Sequence, residues 1–92
     1  MSEPAREDVL VVPALGFAPG MVAVSVWLVR EGAAVRAGDR VVQLVAGAAT
    51  VDLVAPMTGR LERHLVDEDA CVEPGDTLAL FTNPATTEVG VP

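Results

Sequence analysis

The chain has 92 residues, 51% of them hydrophobic, and a formal net charge of −7 at pH 7. This length suits a single domain with a small core, and the negative charge disfavours nucleic acid and anionic membrane surfaces as partners. The six basic residues are all arginines, so the chain contains no lysine.

The single cysteine, Cys71, has no partner for an intrachain disulfide. This favours a reducing compartment, and we expect a cytoplasmic protein. The thiol is predicted to be a small buried apolar group rather than a nucleophile. Residues 1–8 carry acids and a proline instead of the basic start of a signal peptide. No apolar run is long enough to span a membrane.

In the first half of the chain, the pattern of apolar residues, glycines and prolines predicts short strands joined by turns. Residues 8–13 form the first predicted strand, which ends at a proline, and a loop rich in glycine and proline follows over residues 14–20. Residues 22–29 alternate imperfectly between two faces, which predicts a second strand. A short extended segment is expected at Val35, between two turn signals.

The second half begins at a predicted hairpin. Its strands are residues 40–44 and 50–54, and Gly47 between them supplies the positive φ that a tight turn needs. Two more strands are predicted over residues 59–66 and 77–82. No segment has a sustained helical period, so the chain is predicted to be all-β, as a sandwich or barrel.

An internal repeat appears when the sequence is shifted by 37 residues. The matches are Ala18-Pro19 with Ala55-Pro56, Leu28-Val29 with Leu65-Val66, Glu31 with Glu68, Val35 with Val72, and Gly38-Asp39 with Gly75-Asp76. The repeat predicts two similar half-domains packed about a pseudo-two-fold axis. Val29, Val35, Val66 and Val72 are therefore predicted core residues.

The chain has two distinctive polar features, a single histidine and an acidic region. The repeat aligns Trp27 with His64, and an isolated histidine on a strand is predicted to be a solvated surface residue. An acidic region surrounds residues 67–69, together with Glu62, Glu73 and Asp76. It is predicted to be a solvated loop rather than a metal site, because it lacks the glycine-spaced pattern of a calcium loop.

Four groups of residues together form a recognisable pattern: residues 12–16, residues 26–32 with Val35, Gly38 and Asp39, residues 49–56, and Val66, Val72, residues 74–76 and Leu78. This pattern resembles the lipoyl domains of the biotinyl/lipoyl family. The resemblance implies a flattened barrel-sandwich of two four-stranded antiparallel sheets with quasi-two-fold symmetry. We expect this domain to span residues 8–82, between a flexible N-terminus (1–7) and a flexible tail (83–92).

The chain departs from the family at its functional position. In such domains the hairpin presents Asp-Lys-Ala, or Met-Lys-Met in biotinyl relatives, and the lysine carries the cofactor. Here the tip is Gly47-Ala48-Ala49, with Ala48 at the lysine position. Lipoate and biotin are attached as amides of a lysine amine, so no cofactor is expected on this chain. The alternative reading of the tip is a small, close-packed turn without a binding role.

We interpret the chain as a non-catalytic docking or scaffolding module. The resemblance implies a partner-binding surface made of the hairpin tip and the loop beside it. Its residues are Leu15, Gly16, Phe17, Ala18, Pro19, Ala46, Gly47, Ala48 and Ala49. Phe17, Met21 and Trp27 can supply apolar contact there, although a core role fits Phe17 and Trp27 equally well. The implied partner is an acyltransferase of the 2-oxo acid dehydrogenase type, or another acyl-transfer or carboxylating assembly.

The sequence also bears on two other classes of function. An enzyme or direct ligand binder is disfavoured, because the sequence has no Ser/His/Asp arrangement, no metal-ligand spacing and no phosphate-binding loop. A structural or relic domain of a larger complex, without a reactive partner, is compatible with the same residues. The sequence does not separate it from the docking module.

Overall fold

A computed structural model describes residues 6–83, which form eight β-strands and no helix. The strands are β1 (Arg6–Val11), β2 (Val22–Trp27), β3 (Ala34–Val35), β4 (Arg40–Ala46), β5 (Ala49–Val54), β6 (Gly59–His64), β7 (Cys71–Val72) and β8 (Thr77–Asn83). The described residues therefore contain no helix able to cross a membrane. The predicted flexible termini lie largely outside the described residues, while Arg6, Glu7 and Asn83 belong to strands.

The strands form two four-stranded antiparallel sheets, in the orders β1-β8-β6-β3 (the first sheet) and β5-β4-β2-β7 (the second sheet). Each sheet takes its two inner strands from one half of the chain and its edge strands from the other half. Neither half can therefore complete a sheet alone. The predicted all-β barrel-sandwich of two four-stranded sheets is confirmed.

The two halves are related by two sequence offsets rather than one. Strands β2 to β4 correspond to β6 to β8 at 37 residues, whereas β1 corresponds to β5 at 43 residues. The difference arises because the β1–β2 connection, residues 12–21, is six residues longer than the β5–β6 connection, residues 55–58. The first half thus carries an enlarged loop that the second half lacks.

One of the predicted repeat matches is wrong for this reason. The Val12 amide donates to the Asp76 carbonyl at 2.9 Å, and the Ala55 amide donates to the Asp39 carbonyl at 2.8 Å. Val12 is therefore the counterpart of Ala55, and the Ala18-Pro19 match at 37 residues is a coincidence of composition within the enlarged loop.

The backbone irregularities of the first half recur at equivalent positions in the second half, as the strands do. The register shifts between Val24 and Val26 on β2 and between Leu61 and Arg63 on β6, at positions 37 residues apart. Such bulges bend a strand and increase its twist. Their recurrence shows that both halves curve around the core in the same way.

The core is entirely apolar among the described residues. It contains Leu10, Val12, Val22, Val24, Val35, Val41, Val42, Leu44, Ala46, Leu53, Ala55, Leu61, Val72, Leu78, Ala79 and Phe81. Val35 and Val72 are buried as predicted, and Val29 and Val66 are partly buried and pack against this cluster. Cys71 is exposed, which corrects its predicted burial. It precedes the buried Val72 on a strand, so its side chain takes the opposite face.

Trp27 and His64 meet at the pseudo-two-fold axis. Their rings stack with centroids 3.9 Å apart and planes inclined by 13°. The Trp27 Nε1–H donates to the Val66 carbonyl at 3.1 Å, and His64 Nε2 lies 2.9 Å from the Val29 carbonyl. Because a carbonyl only accepts, Nε2 carries the hydrogen. His64 is half-buried, so its predicted role as a solvated surface residue is wrong.

Two glutamates complete this central contact. A Glu68 oxygen accepts the Trp27 backbone N–H at 2.9 Å, and a Glu31 oxygen accepts the His64 backbone N–H at 2.8 Å. Each carboxylate comes from the opposite half of the chain to the amide that it binds. The axis is therefore fixed by reciprocal contacts between residues that the repeat relates.

Candidate functional site

The hairpin between β4 and β5 has a two-residue tip. Pairing extends to Ala46 opposite Ala49, which leaves Gly47 and Ala48 as the turn. Gly47 has a φ of 61°, whereas Ala48 does not have a positive φ. This is the φ pattern of a type II′ turn, which favours glycine at the first central position and matches the twist of the strands. The predicted hairpin and its conformation at Gly47 are confirmed.

The enlarged β1–β2 loop lies beside this tip. Val22, the first residue of β2, pairs with Ala46, the last residue of β4. The Met21 methyl carbon therefore lies 4.0 Å from the point that a Cβ on Gly47 would occupy. The loop and the hairpin thus form one end of the molecule, which we call the hairpin end and define as residues 12–22, 45–50 and 72–76.

A glutamate that sequence reasoning missed holds the loop in place. One Glu73 oxygen accepts the Gly20 backbone N–H at 2.9 Å, and the Met21 amide donates to the Ala18 carbonyl at 3.2 Å. Glu73 lies 53 residues from Gly20 in the chain. Its sequence counterpart in the repeat is Arg36, so the repeat gives no signal for this contact.

The structure brings the predicted surface residues together but exposes them unequally. Leu15 is partly buried against the core and Ala46 is fully buried, so neither offers much surface. Gly16, Phe17, Ala18, Pro19, Gly47, Ala48 and Ala49 are exposed. Phe17 is 38% exposed and Met21 is 47% exposed, which rules out a core role for Phe17. Trp27 instead lies in the central stack, away from the loop.

The hairpin end is apolar with a small negative charge. Glu73 and Asp76 are the charged residues of its three segments, and both accept hydrogen bonds from backbone amides. The Glu73 amide donates to an Asp76 oxygen at 2.8 Å, which closes the turn before β8. No arginine lies in these segments, so the exposed apolar side chains have no basic neighbour within them.

The tip does not fit the covalent attachment of biotin or lipoate. Either acid would be joined through an amide, which requires a side-chain amine. Gly47 and Ala48 offer a hydrogen and a methyl group. Within residues 6–83 no group of three or more His, Cys, Asp or Glu side chains is placed to hold a metal ion. The arrangement can present apolar surface, and it offers no reacting group.

Comparisons with known proteins place the chain in a family. A family model described as biotin-requiring enzyme matches residues 8–81. Among curated proteins, none matches this chain. A solved single-chain, multi-domain long-chain acyl-CoA carboxylase is 30% identical with a TM-score of 0.68, over 94% of this chain and 8% of that one. The chain thus spans about a twelfth of that carboxylase, and it belongs to the biotin/lipoyl family of carrier domains.

Proposed function

We propose that this chain is a carrier-type domain that carries no cofactor and serves as a docking or scaffolding module. The observation that supports this most directly is the hairpin tip. It holds Gly47-Ala48 at a two-residue turn, in a chain without lysine. On this proposal the chain has no swinging arm but keeps the surface that surrounds the arm in such a fold.

The proposed docking surface is the exposed apolar part of the hairpin end. It consists of Phe17, Met21, Gly47, Ala48 and Ala49. Methyl and hydrogen side chains at the tip allow a partner to approach the backbone closely, while Phe17 and Met21 offer area for burial. Aromatic residues and methionine are enriched at the centres of protein interfaces. Glu73 fixes the loop, so little loop entropy is lost when a partner binds.

The proposed partner is an acyl-transfer or carboxylating enzyme. The resemblance to lipoyl domains points to an acyltransferase of the 2-oxo acid dehydrogenase type, and the structural neighbour points to an acyl-CoA carboxylase. Carrier domains of both kinds are recognised by the enzymes that act on their arms. We propose a cytoplasmic setting, because the exposed Cys71 thiol has no intrachain partner.

Calorimetric titration of this protein with candidate enzymes from its native host tests the proposal. The two candidates are an acyltransferase and a carboxyltransferase. We expect saturable binding to one of them. Phe17→Ala with Met21→Ala should weaken that binding roughly tenfold, or about 1.4 kcal/mol. Leu28→Ala is the matched control, since Leu28 is 45% exposed and lies outside the hairpin end. An equal loss in the control, or no saturable binding, contradicts the docking role.

A structural domain of a larger assembly is the second candidate. The similar carboxylase contains a domain of this kind as 8% of its length, which supports a role as one part of a larger whole. This candidate predicts a well-folded domain without saturable binding to either enzyme. The same titration therefore distinguishes the two functions.

A further inference from the structure

The outer face of the first sheet carries an open groove with an apolar centre. Val9 lies directly opposite Leu80 in the β1–β8 pair, and Glu7 lies opposite Thr82, so each pair shares a face. Val9 is 41% exposed and Leu65 is 45% exposed. The groove has a volume of about 670 Å³ and is lined by Glu7, Glu31, Glu62, Arg63, Leu65, Leu80 and Thr82. We call Val9, Leu65, Leu80 and these three glutamates the acidic face.

The second sheet shows that the fold does not require this composition. The counterparts of Val9 and Leu80 are Asp52 and Gln43, which lie opposite each other on β5 and β4. The Gln43 amide donates to an Asp52 oxygen at 3.3 Å, and Arg40 forms an ion pair with Asp52 at 3.3 Å. The same pair of positions is thus polar and hydrogen-bonded on the second sheet and apolar on the first sheet, where Val9 is exposed and Leu80 is half-buried.

The rim of the groove is negatively charged. Glu7, Glu31 and Glu62 line it with one cation, Arg63, and the described residues place no basic group within ion-pair distance of the three carboxylates. Arg60, opposite Thr82 on β6, adds a second positive charge beside the groove. Carboxylates still outnumber guanidinium groups, so the potential at the rim favours cations.

We propose that the acidic face binds a basic amphipathic segment of a protein partner. Apolar side chains of that segment would cover Val9, Leu65 and Leu80, and its arginine or lysine side chains would reach the glutamates of the rim. Burial of the apolar centre supplies affinity, and the charged rim supplies specificity and association rate. An anionic membrane is disfavoured, because the same rim would repel its surface. The inference is independent of the hairpin end.

A titration followed by NMR tests this proposal. The probe is a synthetic helical peptide with leucine on one side and lysine on the other, and the control peptide replaces lysine with glutamate. We expect the basic peptide to bind, with the largest amide shift changes at Val9, Leu65 and Leu80. Its affinity should fall with added salt. Equal binding of both peptides, or shift changes centred elsewhere, overturns the proposal.

Substitutions that copy the counterpart residues of the second sheet make the test more specific. Val9→Asp with Leu80→Gln copies the counterpart residues and should weaken binding of the basic peptide at least about tenfold. Val54→Asp is the matched control, because Val54 is 43% exposed on the other sheet, and it should leave binding unchanged. Unaltered affinity in the folded double variant overturns the proposal.

A second variant keeps the test decisive if the double variant does not fold. Glu7→Gln with Glu62→Gln leaves the apolar centre intact and should lower both the affinity and its salt dependence. If this variant binds as tightly as the original protein at low salt, the proposal is wrong. Self-association through the acidic face without peptide also overturns it, because the occupant would then be a second copy.

Discussion

At the residue scale, Asp69 adopts a conformation that normally favours glycine. Its φ is 73°, and its counterpart, Gly32, has a φ of 87°. Both amides donate 2.7 Å hydrogen bonds to equivalent carbonyls, Asp69 to Val24 and Gly32 to Leu61. The left-handed conformation costs roughly 1–2 kcal/mol for most residues and less for aspartate. The second half therefore tolerates strain at a position where the first half has none.

Substitutions at Asp69 test this comparison. Asp69→Gly should leave the free energy of unfolding unchanged or raise it by up to about 1 kcal/mol. Asp69→Val should lower it by about 1–2 kcal/mol, because a β-branched side chain disfavours a positive φ. Denaturant unfolding measures both. If Asp69→Val is as stable as the original protein, the turn does not have the described conformation in solution.

At the element scale, we expect the hairpin to present Ala48 in the position where the family presents its lysine. Ala48→Lys would place an amine at an exposed tip without requiring a positive φ. Gly47→Asp restores the aspartate that precedes the lysine in the Asp-Lys-Ala motif of lipoyl domains. It also places a side chain at a φ of 61°, which aspartate tolerates at a cost of about 1 kcal/mol. Both substitutions are compatible with the fold.

Co-expression with a lipoate ligase tests whether the tip is presented as in the family. Ala48→Lys alone should be modified weakly, because Gly47 is not the usual flank. The double variant Gly47→Asp with Ala48→Lys should be modified more completely. A biotin ligase should act poorly on both variants, because the methionine flanks are missing. Ala48→Arg is the control, since its guanidinium does not form the amide. A folded double variant that stays unmodified contradicts this geometry.

Much of the element scale could be predicted from the sequence. Alternating apolar residues and turn glycines marked the hairpin and the longer strands. Turn signals marked the two-residue strand at Val35, and the repeat related Val35 to Val72. The environment of His64 was predicted wrongly because it depends on contacts with Trp27 and Val29 in the other half. Cys71 was predicted wrongly because its side chain takes the opposite face of the strand from the buried Val72. The Ala18-Pro19 match failed because six extra residues change the repeat offset before β2.

The sequence predicted which segments form the hairpin end but not the contact that holds its loop in place. The resemblance named the loop and the tip, and pairing of Val22 with Ala46 explains why they meet. The loop's attachment through Glu73 could not be predicted, because it is a single side chain reaching a backbone amide across the fold. Glycine and alanine at the tip carry no chemical signal of their own.

At the scale of the whole molecule, reciprocal contacts at the pseudo-two-fold axis join the halves. The Trp27–His64 stack and its hydrogen bonds to Val66 and Val29 link elements from both halves. An aromatic pair contributes about 0.5–1.5 kcal/mol beyond the area that it buries, and a hydrogen bond contributes about as much. This central contact therefore carries a large share of a small domain's net stability.

Removal of the His64 ring tests how much the central contact contributes to the free energy of unfolding. His64→Ala should lower the free energy of unfolding by about 1–3 kcal/mol, because both the stack and the bond to the Val29 carbonyl are lost. Arg63→Ala is the control, since the neighbouring Arg63 is exposed. Denaturant unfolding, followed by Trp27 fluorescence, measures both variants. Equal losses would show that the stack does not join the halves.

The intact mass of the protein purified from its native host tests the central claim most directly. The claim is that this carrier-type domain lacks the cofactor-bearing lysine but keeps the docking surface at its hairpin end. We predict a mass without any lipoyl or biotinyl adduct, because the chain contains no lysine amine to form the amide. A stoichiometric amide-linked adduct of either cofactor would contradict the account.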